Sequence, residues 1–196
     1  PYRFIRPEPQ ALWAPAAPEW DAHGEFVPGA DEDGGGRWRF DRPVPREGWP
    51  LAWREVAFTA QTTPFRHLGF FPDMAPVWDW MRLCLENGGT GPLPHPATHE
   101  SSLLGGRVGE RAGAAPARSA PECLNLFGYT GVGTLALAAT GARMVHVDAS
   151  KKSVDAARAN AALSNMGDAP VRWLVEDAGK FVAREVRRAR RYDGII

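Results

Sequence analysis

The sequence predicts an α/β fold, in which a small β-rich module precedes an open parallel sheet of the doubly wound type. The main observation is the order of patterns over residues 123–150: a short apolar run, a glycine-rich loop, an Ala- and Leu-rich stretch and a second apolar run. Strand and helix patterns then keep alternating to Ile196. Residues 1–62, in contrast, carry short aromatic and β-branched runs between Pro and Gly, with no helical period.

The first strand of the sheet is predicted at residues 123–127, an apolar run too short for a helix. It stops at Gly128-Tyr-Thr-Gly-Val-Gly133, a tight loop. Residues 134–139 favour a helix, and Gly141 supplies a residue that can end it with positive φ. Residues 144–147 then predict the second strand. This order is typical of a βαβ unit.

A ligand site is indicated by the loop and by Asp148, which follows the second strand. Gly128, Gly131 and Gly133 leave the backbone open to a ligand, and free amide groups before a helix attract an anionic group. A carboxylate at the end of the second strand can accept hydrogen bonds from two ribose hydroxyls. The pattern predicts a nucleoside-containing cofactor; the alternative is an ordinary glycine turn with Asp148 as a solvated cap.

Two cofactors compete for such a loop. Gly131-x-Gly133-x-x-Ala136 satisfies the loose dinucleotide pattern, so NAD stays an alternative. The acid of the dinucleotide fingerprint lies about 20 residues further on, whereas Asp148 follows Ala136 much more closely. The spacing therefore favours S-adenosylmethionine.

Two segments carry a family resemblance. Asn125-Leu-Phe-Gly-Tyr-Thr-Gly131, followed by Val147-Asp-Ala-Ser150, resembles the class I methyltransferases related to the bacterial 23S ribosomal RNA cytosine-5 and guanine-N7 enzymes. The segment from Thr63-Pro-Phe-Arg-His-Leu-Gly-Phe-Phe-Pro-Asp-Met74 to Trp78-Asp-Trp80 resembles the element that precedes their methyltransferase domain. Relatives more often carry Glu-Gln at Asp73-Met74. The resemblance covers most of the chain except residues 88–122, and it implies a Rossmann-like class I methyltransferase sheet, here its first four strands.

The resemblance also implies S-adenosylmethionine as cofactor and a set of residues that bind it. They lie in the glycine loop and at the ends of the second and third strands: Phe127, Gly128, Thr130, Gly131, Gly133, Asp148, Ala149, Asp177 and Ala178. In the family, an acid at the position of Asp177 contacts the adenine amino group. The alternative for Asp177 is an N-cap of the helix that follows.

The implied activity is methyl transfer to a nucleobase of ribosomal RNA, which would also be the partner. The acceptor-positioning Pro-Pro motif of the family follows the fourth strand, so the catalytic residues are expected beyond Ile196 and these 196 residues are expected to be inactive alone. Cytosine-5 transfer needs a cysteine thiolate, but Cys84 and Cys123 are expected to be structural. The alternatives are a methyltransferase for a small molecule or a protein side chain, and a non-catalytic RNA-binding module.

The remaining patterns complete the sheet. A helix is predicted from Ser150 or Ser153 to about residue 165, a strand at 171–175, a helix at 178–191 and a strand at 192–196. Because βαβ crossovers are right-handed, the first three strands should lie successively to one side and the fourth on the other flank. The last helix should turn Phe181, Val182, Val186 and Ala189 toward the sheet. Its arginine stripe predicts RNA contact, or a solvated face: Arg184, Arg187, Arg188 and Arg191.

The domain organisation predicted is a β-rich module at 1–62, a connecting segment and helix at 63–87, a disordered insertion at 88–122 and a partial methyltransferase domain at 123–196. In the module, strands are predicted at residues 2–5, 10–13, 37–40 and 56–60. Its five tryptophans are expected to form a core rather than a platform for bases. In the connecting helix, Met74, Val77, Trp78 and Met81 form one apolar face. The acids at 31–33 are not expected to bind metal.

The composition sets broad limits. The 196 residues are 44% hydrophobic and include eight Trp, enough for a sizeable core. The formal net charge is zero, so no field of the whole molecule attracts a polyanion, and an RNA must be held by a local patch. No transmembrane run is present, and two Cys without a signal peptide indicate a reducing compartment. We therefore expect a soluble, cytoplasmic protein.

Overall fold

The computed structural model describes residues 2–8, 10–14, 16–17, 19–29, 35–87 and 120–196. The predicted insertion, apart from residues 120–122, and the acidic positions 31–33 lie outside these described residues. In the described part of the chain, no helix has the length and apolar character needed to span a bilayer.

The N-terminal part contains two small sheets. Strands β1, β2 and β3 form the first, with β1 parallel and β3 antiparallel to β2, and the hairpin β4–β5 forms the second. A short 3-10 helix, Pro72–Met74, then leads into helix α1. The bounds are β1 Phe4–Ile5, β2 Gly24–Pro28, β3 Gly36–Phe40, β4 Trp49–Trp53, β5 Val56–Ala60 and α1 Ala75–Glu86.

Two strands of this part were not predicted, and one predicted strand is wrong. Strand β2 begins with Gly and ends with Pro, and β4 has Pro at its second position; both residues are poor strand formers and hide the strand pattern. Residues 10–13 form a turn and irregular chain instead of a strand. Leu12 and Trp13 are 91% and 75% exposed, so these apolar side chains have no sheet face to bury.

The tryptophans divide into two groups. Trp49 is buried, and its ring contacts those of Tyr2 and Phe4. Trp38 and Trp53 are partly buried, as expected of core residues. Trp13 and Trp20 keep 75% and 55% of their surface exposed, so the expectation of a core role is wrong for these two.

The C-terminal part is a four-stranded parallel sheet in the order β8-β7-β6-β9. This is the predicted order, with the first three strands to one side and the fourth on the other flank. Residues Leu124, Val145 and Val147 pack against Phe181 of helix α4. The bounds are β6 Glu122–Leu126, α2 Val132–Ala138, β7 Arg143–Asp148, α3 Lys151–Leu163, β8 Val171–Val175, α4 Ala178–Arg187 and β9 Gly194–Ile195.

Helix α2 is the centre of the packing. All seven of its residues are buried, as expected for a helix that is apolar all round. Val56 and Phe58 of β5 and Trp78 of α1 share a core cluster with Leu135 and with neighbouring residues of α2 and α3. The β4–β5 hairpin and α1 therefore cover the helices of the parallel sheet.

Two predicted apolar faces differ from the structure. In α1, Trp78 and Met81 are buried, but Val77 is 38% exposed. In α4, Val186 is 71% exposed; the helix ends at Arg187 instead of the predicted residue 191, so Ala189 lies beyond it and is also exposed. The buried residues of α4 are Ala178, Phe181 and Glu185. One of the three buried positions therefore carries a carboxylate instead of an apolar side chain.

Candidate cofactor site

A cavity of about 330 Å³ lies at the carboxyl end of β6. One wall is the glycine loop over residues 127–133, and the other is formed by the segment around the 3-10 helix. From that segment come Phe70, Phe71, Asp73, Met74 and Trp78. The cavity thus lies where cofactors bind in open α/β sheets, outside the carboxyl ends of the strands next to the point where strand order reverses.

The loop that forms this wall has an unusual backbone. Phe127 and Tyr129 have φ values of 57° and 50°, in the left-handed region that non-glycine residues rarely adopt. Gly131 has φ 79° and precedes α2. At Phe127 and Tyr129 this conformation costs on the order of 1 kcal/mol or more each and persists only where the surroundings hold it, whereas glycine adopts it readily.

Hydrogen bonds hold the loop in this form. The Gly128 N–H donates to the carbonyl of Val147 at 3.0 Å, and the Gly131 N–H to the carbonyl of Gly128 at 2.9 Å. The Tyr129 N–H donates to Oδ2 of Asp148 at 2.9 Å. The end of β6 is therefore fixed to the end of the neighbouring strand β7.

The three loop glycines also have a packing role that the sequence did not reveal. A Cβ atom on Gly128 would lie 2.4 Å from the His146 ring, and one on Gly131 would lie 2.7 Å from Cβ of Ala157. A Cβ on Gly133 would lie 2.6 Å from Nε1 of Trp78. The loop therefore needs glycine in order to pack against the protein, and its backbone still lines the cavity.

Asp148 ends β7 and uses both of its oxygens. Besides the bond from Tyr129, its Oδ1 accepts the N–H of Ser150 at 2.8 Å. A carboxylate has about four lone-pair positions, so two remain for other donors. Asp148 can hold the loop and accept hydroxyl hydrogen bonds at the same time.

Thr130 joins the glycine loop to two other parts of the protein. Its side chain is buried, and its hydroxyl donates to the carbonyl of Gly69 at 2.8 Å. Its own carbonyl accepts the amide of Asn160 at 2.9 Å, and Oδ1 of Asn160 accepts the N–H of Thr59 at 3.1 Å. Asn160 therefore joins the glycine loop to strand β5.

Beneath the loop lies a buried polar network that sequence reasoning missed. The amide of Asn125 donates to the Thr134 hydroxyl at 2.9 Å, and that hydroxyl lies 2.8 Å from Nδ1 of His146. Depending on the tautomer of the ring, the hydroxyl donates to Nδ1 or accepts from it, and Nε2 has no hydrogen-bond partner among the described residues. Burial lowers the pKa of His146 to about 4, with a smaller opposite effect of Asp148. The one sequence signal was a histidine inside an apolar strand.

The predicted cofactor residues are only partly brought together. Phe127, Gly128, Thr130, Gly131 and Gly133 line the cavity. The other four lie at the ends of the neighbouring strands, outside the cavity lining: Asp148, Ala149, Asp177 and Ala178.

Asp177 has the capping role that was considered for it. It is the N-cap of α4, and its Oδ1 accepts the N–H of Lys180 at 2.9 Å. Ala178 is buried at the start of the same helix, whereas Ala149 is exposed.

Ion pairs engage two of the four arginines of the stripe and leave the other two exposed. Arg184 makes two hydrogen bonds to Glu176, at 2.5 and 2.8 Å, and Arg188 lies 3.5 Å from Glu185. Glu185 is buried and also accepts the Tyr192 hydroxyl at 2.7 Å; this bond, with help from the nearby arginines, lowers its pKa. Arg187 and Arg191 are exposed, and within the described ranges neither has an ion pair.

Neither cysteine is placed as a nucleophile by the structure. Both are free thiols, and Cys123 is fully buried in β6. Burial raises the pKa of Cys123 to about 11, so its thiolate is scarce at neutral pH. Cys84 lies in α1, outside the cavity lining.

No protein-family model and no curated protein matches the sequence. Among solved structures, the S-adenosylmethionine-dependent methyltransferase of Agrobacterium tumefaciens is 39% identical, with a TM-score of 0.76. The alignment covers 99% of this chain and 53% of that one, so the chain spans about half the length of this relative.

More distant structures share the fold. A protein of Streptococcus mutans, described as a SAM-dependent methyltransferase, is 19% identical over 89% of this chain and 37% of its own, with a TM-score of 0.58. A methyltransferase complexed with SAH gives the same values. The complex of aTrm5 with tRNALeu gives 10% identity over 85% and 45% of the chains and a TM-score of 0.50. The described residues of this chain therefore have the Rossmann-like fold of the S-adenosylmethionine-dependent methyltransferases.

Proposed function

We propose that the cavity beside the glycine loop binds S-adenosylmethionine, as part of an enzyme that methylates a nucleobase of ribosomal RNA. The observation that carries the proposal is the bond between Tyr129 and Asp148, which joins the loop at the end of β6 to the acid at the end of β7. The 39% identical A. tumefaciens protein, whose name states SAM dependence, supports the same cofactor.

The residues present suit this cofactor. The cavity falls within the range of about 300 to 1,000 Å³ that is usual for small-molecule sites. Its walls combine loop backbone with the apolar side chains of Phe71, Trp78 and Phe127. Asp148 keeps lone pairs for the ribose hydroxyls, and Asp177 would serve the adenine amino group beside its capping role. The lining at Met74 is apolar, where relatives more often carry Gln.

The chemistry asks for positioning. The sulfonium of S-adenosylmethionine gives its methyl group to a nucleophilic atom and leaves as the neutral thioether, so the protein mainly aligns donor and acceptor. Cys123, buried and with a raised pKa, does not suit the covalent route of cytosine-5 transfer.

An RNA acceptor is supported by the motif resemblance and by local charge. Arg187 and Arg191 remain exposed for phosphate contact, whereas Arg184 and Arg188 are engaged by Glu176 and Glu185. With a net charge of zero, such local groups would have to hold the RNA. If they do, replacing Arg187 and Arg191 by Ala should weaken RNA binding and reduce its salt dependence.

Isothermal titration calorimetry tests the cofactor. S-adenosylhomocysteine should bind with one site per chain, and NAD at the same concentration should give no saturable heat. Saturable NAD binding without S-adenosylhomocysteine binding would overturn the proposal. For the acceptor, labelled methyl transfer by the whole enzyme should reach ribosomal RNA and not a protein or small-molecule fraction.

A further inference from the structure

A cluster of four rings adjoins the cavity; we call Phe65, His67, Phe71 and Tyr129 the aromatic cluster. His67 is central, with ring centroids 5.8 Å from Phe65, 5.3 Å from Phe71 and 5.6 Å from Tyr129. Phe71 and Tyr129 contact each other at 5.5 Å. Because both of these also line the cavity, the cluster is continuous with it.

The outer part of the cluster is exposed and geometrically suited to stacking. Phe65 and Phe71 keep 46% and 43% of their surface exposed. The rings of Phe65 and His67 are nearly parallel, with an interplanar angle of 18°. A further planar ring placed on Phe65 would extend an existing stack. Any nucleobase can stack in this way, because every base has an aromatic face.

The segment that carries Phe65 is held in place by strand β3. Gly36 donates its N–H to the carbonyl of Pro64 at 3.2 Å, and Nε1 of Trp38 donates to the carbonyl of Thr63 at 2.8 Å. The Thr63 hydroxyl accepts the N–H of Phe65 at 3.2 Å and lies 3.1 Å from the Phe65 carbonyl. It also lies 2.9 Å from the His67 carbonyl and 3.3 Å from Nδ1 of His67. The ring of Phe65 is thus presented by fixed backbone, so a guest ring would lose little affinity to ordering the loop.

The charges around the cluster match a nucleotide. Burial, and then the charge of Arg6, lower the pKa of His67, so its imidazole is neutral at pH 7. Burial also raises the pKa of Tyr129, which stays a phenol. Arg6 and Arg66 are exposed beside this neutral centre, with Nη1 of Arg6 3.4 Å from the Arg66 carbonyl. A neutral stacking surface with cations at its edge suits a base that carries a phosphate.

We propose that the aromatic cluster is the platform on which an unpaired base of a single-stranded RNA stacks at the mouth of the cofactor cavity. The proposal rests on the function proposed above, because a base stacked there would lie beside the cofactor, where the methyl acceptor must be. The base must be unpaired, since both faces of a paired base are covered by its neighbours in a duplex.

The test measures RNA and cofactor binding separately in the same variants. Fluorescence anisotropy with an end-labelled single-stranded RNA oligonucleotide gives the first, and calorimetry with S-adenosylhomocysteine the second. Phe65→Ala should weaken RNA binding about fivefold or more, the range found when a stacking ring is removed. Phe65→Trp should keep the affinity and Phe65→Leu should not, because leucine retains apolar area without a ring. Phe65 does not line the cavity, so cofactor affinity should stay unchanged in all three.

Trp13→Ala is the matched control, since Trp13 is an exposed aromatic residue outside the cluster. It should leave RNA affinity unchanged, and the same RNA annealed to its complement should bind more weakly than the single strand. Unchanged binding by Phe65→Ala, full binding by Phe65→Leu, equal binding of the duplex, or no RNA binding by the wild type would each overturn the platform. Absence of S-adenosylhomocysteine binding, with RNA binding still dependent on Phe65, would instead overturn the proposed function alone.

Discussion

The backbone N–H of Tyr129 donates a hydrogen bond of 2.9 Å to the carboxylate of Asp148. The two residues follow neighbouring parallel strands, so this bond ties the strained loop after β6 to the end of β7. Because Asp148 keeps free lone pairs, one side chain both shapes the loop and remains available to a ligand.

Replacing Asp148 should therefore weaken cofactor binding. In Asp148→Ala, the loss of charged hydrogen bonds should cost about 1.5 to 3 kcal/mol of S-adenosylhomocysteine affinity, measured by calorimetry. Asp155→Ala removes an exposed carboxylate of α3 and is the control, which should bind as the wild type does. A loss below about 0.5 kcal/mol in Asp148→Ala would remove this residue from the site.

Gly128 should not tolerate a methyl group. Its Cβ would lie 2.4 Å from the ring of buried His146, and overpacking of this kind costs about 1 to 3 kcal/mol. Urea unfolding of Gly128→Ala should show this loss. Gly167→Ala is the matched control, because a Cβ there meets no atom within 4 Å, and its stability should change by less than about 1 kcal/mol. Equal stability of the two variants would mean that the loop can shift to accept the methyl group without a loss in the free energy of unfolding.

Asn160 should be needed for stability as well as for the site. Asn160→Ala leaves the Thr59 N–H and the Thr130 carbonyl without their partner in a buried region. We expect a loss of about 2 to 4 kcal/mol in the free energy of unfolding. Arg158→Ala, exposed on the same helix, should change it little. If the two variants unfold alike, solvent must replace both bonds.

The stability should fall as the pH is lowered from neutral. The unfolded value for His146 is 6.5, and burial lowers its folded pKa to about 4, so below pH 6.5 the unfolded state binds a proton that the folded state excludes. The contribution is complete above pH 6.5 and is lost on going down to about pH 4; linkage gives it an upper size of about 3 kcal/mol. The lowered pKa of His67 acts in the same direction.

Urea unfolding of the wild type and of His146→Gln measures this pH dependence of stability. The pH should be varied between 4 and 7, because the folded and unfolded pKa values of His146 lie in that range. The variant should be less stable at pH 7 but should lose less stability on acidification, because glutamine does not titrate. The same pH dependence in both proteins would contradict a buried neutral His146.

The sequence predicted the parallel sheet because its signals are local. The runs at residues 123–127 and 144–147 are largely apolar, as fully buried strands require. Right-handed crossovers then predict the strand order that the structure has. The segment over residues 70–78 was not predicted as a wall of the cavity, since nothing in its pattern shows this role.

Other features depend on long-range contacts. The predicted apolar face of α4 is right at Phe181 and Val182 but wrong at Val186. Hydrophobic periodicity favours Val186, whereas the buried residue is Glu185, which contacts Tyr192 and several arginines. Strand β2 exists through pairing with β3 and β1, which its Gly and Pro ends conceal. The clash between a Cβ at Gly128 and His146 joins two strands, and no spacing along the chain reports it.

Hydrogen exchange with mass spectrometry shows whether the glycine loop and the segment opposite form one cofactor site. S-adenosylhomocysteine should slow amide exchange in residues 127–133 and 70–78 together, because both line the same cavity. Exchange in the β1–β2–β3 sheet, outside the cavity, should stay unchanged. Protection of the N-terminal sheet instead, or no protection of the glycine loop at saturating ligand, would show that the cofactor does not bind between these two walls.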